Sequence, residues 1–225
     1  MIYNIAIDGP AGAGKSTIAK RVAKELSFIY VDTGAMYRAM ALYLLRQGVD
    51  RANTDAIGTA CQDAEISIEY QNNEQIVLLN GENVNAFLRT EEVGNMASVS
   101  SAVPRVREKL LSLQRKLAQS MSVVMDGRDI GTTILPNAEV KIYLTASSLT
   151  RAKRRYLELQ EKGISCDLNE IQKDIEERDA RDMNREISPL RQAEDAVLVD
   201  SSDMTIEQVV DCILNVFKNK TTEKE

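Results

Sequence analysis

The sequence contains no histidine and no tryptophan, and only three cysteines among its 225 residues. Without an imidazole the chain cannot run Ser-His-Asp or Cys-His chemistry, nor ligate a metal through histidine. Cys61, Cys166 and Cys212 are odd in number and far apart. That fits neither a disulfide framework nor a zinc site, and reduced thiols are expected. No apolar run approaches the ~18 residues that a membrane span needs. The opening residues lack the basic and long apolar regions of a signal peptide. A cytoplasmic protein without a membrane partner is expected. An excess of basic residues is missing too: the net charge is −6, whereas a nucleic-acid binder usually shows a basic balance or stripe. Yet arginines gather in the second half, at Arg151, Arg154, Arg155, Arg178, Arg181, Arg185 and Arg191. That combination suits a small anionic ligand better than a nucleic-acid polymer.

What is present supports one α/β domain with a small insertion. Apolar residues make up 44% of the chain, enough for a sizeable core. Asn4 to Asp8 is a short apolar run that leads into a Gly-rich turn. A helix starts at Lys15, with Ile18, Val22 and Leu26 at spacing four. Phe28 to Asp32 reads as a strand and Gly34 to Gln47 as a helix stopped by Gly48. This strand–helix alternation predicts a parallel sheet. The middle differs. Glu65 to Tyr70 alternates as a half-exposed strand, Gln71 to Glu74 is a polar turn, Gln75 to Leu79 is a strand, and Asn80-Gly81 turns again. Residues 65–90 therefore read as an inserted β-rich subdomain, with 1–64 and 91–225 as the core. Val103 to Leu117 is a helix with apolar residues at 103, 106, 110, 113 and 117; Arg107 lies off that stripe and is expected to face a ligand or water. Ser122 to Asp126 and Val140 to Thr145 suit buried strands. Helices are expected over Leu149 to Lys162 and Leu168 to Asn184, then a strand over Ala196 to Asp200 and a helix over Thr205 to Phe217. Lys218 to Glu225 reads as a frayed tail.

The strongest signal is Gly9-Pro10-Ala11-Gly12-Ala13-Gly14-Lys15-Ser16-Thr17, a full match to G-x-x-x-x-G-K-[ST] between a strand and a helix. In such a loop the glycines let backbone N–H groups turn inward around phosphate oxygens, and the helix N-terminus adds its dipole. Lys15 would reach the β- and γ-phosphates. Ser16 would help hold Mg²⁺, with phosphates and waters as most other ligands. This pattern denotes a nucleoside-triphosphate binder without fixing the reaction. An Asn-Lys-x-Asp guanine motif is absent, since Asn219-Lys220 is followed by two threonines; a GTPase switch is disfavoured.

Four further stretches narrow the choice: Asp32-Thr33-Gly34-Ala35-Met36-Tyr37-Arg38, Pro104-Arg105-Val106-Arg107, Asp126-Gly127-Arg128-Asp129-Ile130-Gly131-Thr132, and Arg178-Asp179-Ala180-Arg181-Asp182-Met183-Asn184-Arg185. Arg38, Asp126, Arg128 and Asp129 follow strand ends, at the edge where open α/β sheets bind ligands. Arg178, Arg181, Asp182 and Arg185, three and four apart, are expected to share one helix face. Read alone, such a charge run is equally a solvated salt-bridge face. Tyr37 is expected in the core. Asp126 ends its strand as an acid acting on Mg²⁺ through a water would, or caps the following turn.

With the phosphate loop, these stretches resemble the bacterial cytidylate kinase family in order and spacing over nearly the whole chain. The resemblance implies a P-loop kinase fold with a parallel sheet flanked by helices. It also implies an acceptor-nucleotide subdomain at 65–90 and a short lid at about 150–166. It implies an enzyme that moves phosphate from ATP to CMP or dCMP. A monomer is expected. Arg38, Arg128 and Arg185 would clamp the acceptor phosphate, Arg178 and Asp182 would contact the sugar, and Ser98, Arg107 and Asp129 would read the cytosine. Arg154 and Arg155 would fold over the ATP phosphates with the lid. The acceptor would be a phosphate oxygen already ionised near neutral pH, so no general base is needed. Rival readings are a thymidylate, adenylate or shikimate kinase of the same fold, and a non-enzymatic ATP-binding regulator.

Overall fold

A computed structural model describes residues 1–71 and 74–222. In chain order its main elements are β1 (Asn4–Asp8), α1 (Lys15–Leu26), β2 (Ile29–Asp32), α2 (Thr33–Arg46), α3 (Thr54–Ala60), β3 (Ile66–Gln71), β4 (Glu74–Leu79), β5 (Glu82–Asn83), α4 (Glu91–Ser100), α5 (Pro104–Ser120), β6 (Val123–Gly127), β7 (Val140–Thr145), α6 (Ser148–Glu161), α7 (Leu168–Asn184), β8 (Val197–Asp200) and α8 (Ile206–Thr222). The chain forms two compact units. One combines Tyr3–Phe28 with the chain from Val124 on; the other is Ile29–Val123. No helix among the described residues is long and apolar enough to cross a membrane.

The first unit carries the parallel sheet that the strand–helix alternation implied. Its strands run β6-β1-β7-β8. β1 pairs in parallel with β7, Ile5 opposite Val140, and β7 pairs in parallel with β8, Ile142 opposite Val197. β6 is buried along its whole length, which is why Val123-Val124-Met125 reads as a continuous apolar run and not as an alternation. α8 packs on α1 and β7, and α6 packs on α7. The expected frayed tail is corrected here. α8 continues to Thr222, where the Thr221 and Thr222 hydroxyls donate back to the carbonyls of Phe217 and Lys218. Phe217 is also held in an edge-to-face cluster with Tyr3 and Phe28, centroids 5.5 and 5.6 Å apart. Only residues 223–225 of that segment lie outside the described residues.

The second unit contains the antiparallel sheet β3-β4-β5. Ile66 lies opposite Leu79, and Leu79 opposite Glu82 across a two-residue Asn80-Gly81 turn with φ of 50° and 82°, the Asn-Gly hairpin geometry. The polar turn expected at Gln71 to Glu74 has its centre, Asn72 and Asn73, outside the described residues. α4 and α3 carry little periodic signal and were not expected. Their termini are chemically specified: the Thr90 hydroxyl caps Val93 N–H, and the Asn53 side chain caps Ala56 N–H. Gly58, inside α3, allows close packing, because a Cβ there would lie 3.3 Å from Arg105 Cδ on α5. On α5 the buried side comprises Val106, Arg107, Leu110, Gln114 and Ala118. Arg107 is therefore buried within this unit, which corrects the water-facing half of the expectation drawn from the apolar stripe.

Candidate active site

The loop between β1 and α1 is built around close backbone approach. Gly9 has φ 151°, and a Cβ there would lie 1.9 Å from the Leu144 carbonyl oxygen of β7. Gly14, at φ 83°, is the N-cap of α1 and needs the left-handed conformation that glycine adopts freely. Lys15 is 7% exposed, and its Nζ donates to Pro10 O at 2.7 Å. Burial and then the Arg128 guanidinium hold its pKa well below the usual lysine range, against the pull of Asp126, Asp8 and Asp182. Ser16 Oγ donates to Asp126 Oδ2 at 3.1 Å. A hydroxyl and a carboxylate side by side are hard oxygen donors. They fit Mg²⁺, which takes its remaining ligands from phosphate and water. No cluster of three or more His, Cys, Asp or Glu able to hold a metal occurs among the described residues.

Around that lysine lies a network of buried charges contributed by the end of β6 and by α7. Arg128 Nε donates to Asp182 Oδ2 at 2.9 Å. Arg185 Nη2 lies 3.6 Å from Asp129 Oδ1, and its Nε donates to Ser188 O at 2.6 Å. Burial acts to raise the pKa of Asp182, but the charges of Arg128, Arg178 and Arg185 outweigh it and hold the carboxyl below its usual range. The stretch after α7 is sewn to this network. Leu190 N–H donates to Asp182 O at 2.8 Å, and Thr133 Oγ1 donates to Ser188 Oγ at 3.3 Å. On α7, Asp179 and Asp182 are buried whereas Arg181 is exposed. At ~100° per residue, Arg181 lies about 60° from Arg178 and about 40° from Arg185, at the edge of the expected shared face. It differs from them in exposure, being open to solvent where Asp182 is buried.

Two residues in this unit carried no assigned role in the sequence reading. Asp8, at the end of β1, is 4% exposed, and its two oxygens accept the N–H groups of Ile130 and Gly131 at 2.7 Å each. Burial pushes its pKa up to about 7 in spite of those donors. Arg151, on α6, is 5% exposed and donates to Ala11 O in the phosphate loop at 2.8 Å and to Ala146 O at 2.9 Å. It also pairs with Asp179 Oδ2 at 2.6 Å. Its α6 neighbours are engaged elsewhere. Arg154 donates to Ser201 O at 2.7 Å, and Arg155 pairs with Glu158 at 3.0 Å. Arg151 belonged to the visible arginine cluster, but spacing alone did not single it out. Asp8 had a signal only in its place immediately before Gly9.

In the second unit, Asp32 caps α2 by accepting Ala35 N–H at 2.8 Å. It also gathers two arginines: Arg38 Nη1 at 4.0 Å and Arg89 Nη2 at 3.4 Å. Gly34 leaves room for this, since a Cβ there would lie 3.1 Å from Asp32 Oδ1 and 3.2 Å from Arg38 Nη1. Ser98 and Arg107 are linked through one residue. Arg107 Nη1 donates to Ser101 O at 3.2 Å, and Ser101 Oγ donates to Ser98 O at 2.9 Å. The Arg107 guanidinium stands 5.6 Å from the centroid of the Tyr37 ring, within cation–π range. Tyr37, expected in the core, is half-buried and forms a platform for that guanidinium.

The family model described as Cytidylate kinase matches residues 5–219. Curated relatives include the cytidylate kinase of Lactiplantibacillus plantarum, 50% identical over 96% of this chain and 95% of that protein. The cytidylate kinase of Caldicellulosiruptor saccharolyticus is 49% identical over 95% of each. Among solved structures, a gluconokinase from Sinorhizobium meliloti aligns at a TM-score of 0.50 and 12% identity, covering 99% of this chain and 95% of that one. That last likeness concerns the fold alone.

Proposed function

The chain belongs to the cytidylate kinase family, and from that premise we propose that it transfers the γ-phosphate of ATP to CMP or dCMP, giving ADP and CDP or dCDP. The observation that carries this reading is the buried arginine–carboxylate network of Arg128, Asp182, Arg185 and Asp129 around the phosphate-loop lysine. A second anion site has no use in a protein that only binds ATP. An acceptor whose attacking phosphate oxygen is already ionised needs charge neutralisation and positioning, and a histidine-free chain with this network offers both.

In this reading the residues Gly9 to Thr17 cradle the donor phosphates, and Lys15 neutralises charge on the transferring group. Mg²⁺ would be held by the Ser16 hydroxyl, with Asp126 beside it, and would supply further neutralisation of the phosphates. Arg38, Arg128 and Arg185 hold the acceptor phosphate in line, and Arg178 and Asp182 hold the sugar. Ser98, Arg107 and Asp129 read the base. The Asp129 carboxylate accepts from the cytosine N4 amino group, which uracil replaces with a repelling O4. Residues 65–90 serve as the acceptor-nucleotide subdomain. The segment at about 150–166, with Arg154 and Arg155, closes over the donor phosphates and excludes water.

The test is ADP release in a coupled assay with CMP, dCMP, UMP, AMP, dTMP and shikimate as acceptors. Turnover is expected with CMP and dCMP. Turnover only with one of the others assigns a different kinase, and ATP hydrolysis without any acceptor dependence assigns a regulator.

A further inference from the structure

Asp129 is fixed on three sides within the first unit. Its carboxylate faces Arg185 at 3.6 Å. Its carbonyl accepts the N–H groups of Thr133 and Ile134 at 2.9 and 3.2 Å, inside the single π-helical turn Ile130–Ile134. The two peptide groups that follow it donate to the oxygens of Asp8, one each, at 2.7 Å. Those last contacts span more than 120 residues of sequence and join the end of β1 to the turn after β6. The fit is close: a Cβ at Gly131 would lie 3.4 Å from Asp8 Oδ2 and 3.2 Å from Lys141 Cδ.

We propose that Asp8 is a positioning residue for acceptor recognition: by accepting both N–H groups after Asp129, its carboxylate sets the direction in which Asp129 meets the base. The proposal rests on the reading of Asp129 as the base-reading residue. Each of the two N–H groups meets its own oxygen of Asp8, and among side chains of this size only a carboxylate supplies two acceptor atoms. An amide offers one acceptor and one donor, so Asp8→Asn turns an NH₂ group against one of the two N–H donors and releases one end of the turn. A device of this kind acts on the acceptor.

The experiment compares the wild type with Asp8→Asn and Gly131→Ala, recording kcat and KM for CMP, UMP and ATP together with Tm. Loss of one hydrogen bond to a charged group corresponds to a change of roughly ten- to a hundredfold. That loss is expected in kcat/KM for CMP in Asp8→Asn, with a reduced CMP-to-UMP ratio and a KM for ATP within a few-fold of wild type. Gly131→Ala presses on the same contact without removing the buried carboxylate and should show the same pattern at smaller size. It decides the matter if Asp8→Asn does not fold. A lowered Tm with an unchanged CMP-to-UMP ratio would make Asp8 a packing residue and overturn the proposal. Wild-type enzyme without CMP turnover overturns the functional reading itself, so the two failures separate.

Discussion

Replacing Arg151 with methionine removes the cation of a buried ion pair and leaves Asp179 behind. The two side chains are 6% and 11% exposed and meet at 2.6 Å. The other carboxylate oxygen, Oδ1, has no hydrogen-bond partner among the described residues. Breaking a buried pair from one side costs about 3–5 kcal/mol. For a chain of this size that corresponds to a fall in Tm of roughly 6–20 °C. Methionine preserves most of the stem that packs under Gly12, whose added Cβ would lie 3.5 Å from Arg151 Cβ. The loss should therefore be electrostatic and not a cavity effect. Adding Asp179→Leu to the methionine variant removes the orphaned charge. Most of the stability should return, short by about 1–2 kcal/mol for the bonds to Ala11 O and Ala146 O. Urea unfolding of wild type, both single variants and the double variant closes the cycle. Because Ala11 lies in the phosphate loop, KM for ATP should rise in the methionine variant more than KM for CMP. An Arg151→Met protein within ~1 kcal/mol of wild type would refute the reasoning, as would a double variant no more stable than the single one.

Asp8 gives a pH prediction with a definite sign. Its folded-state pKa of about 7 lies above the ordinary 3.8. Between those values the folded chain keeps a proton that the unfolded chain has lost, so stability from this group is greatest below pH 4 and declines as pH rises through 7. Over about three units that amounts to ~4 kcal/mol at most. The stability of wild type relative to Asp8→Asn, from urea unfolding at pH 4.5 and 8, should fall accordingly, and parallel pH curves would contradict it. Gly9→Ala drives a Cβ against the Leu144 carbonyl, a backbone atom that cannot turn aside. Destabilisation of ~3 kcal/mol or more and loss of ATP binding by calorimetry are expected. Asp129→Asn keeps the shape but removes the charge facing Arg185; the gap between CMP and UMP turnover should narrow, and an unchanged ratio would remove Asp129 from base reading.

The phosphate loop, the strands β1 and β7 and the helix α7 were legible because each is specified locally. A Gly-rich turn between an apolar strand and an amphipathic helix has few other ways to satisfy its backbone, and short runs rich in β-branched and apolar residues, bounded by turn signals, suit buried strands. α3 and α4 were not legible, since they are short and rely on Asn53 and Thr90 caps and on packing for their stability. The extension of α8 to Thr222 likewise depends on Phe217 finding Tyr3 and Phe28.

For the candidate site, the sequence by itself determined which residue types are available: a phosphate loop, carboxylates at strand ends, many arginines and no imidazole. The tertiary structure decided what each charge is spent on. Arg107 is buried against Ser101 and Tyr37 although it sits off the apolar stripe. Arg181 points to solvent although it sits among ligand-class neighbours. Arg151 reaches the phosphate loop, while Arg154 and Arg155 are held by Ser201 and Glu158. Asp8 meets two N–H groups from another strand's end. Periodicity reports which way a side chain leaves its own helix or strand. The partner that neutralises a buried charge comes from a different element, and only the folded arrangement brings it within bonding distance.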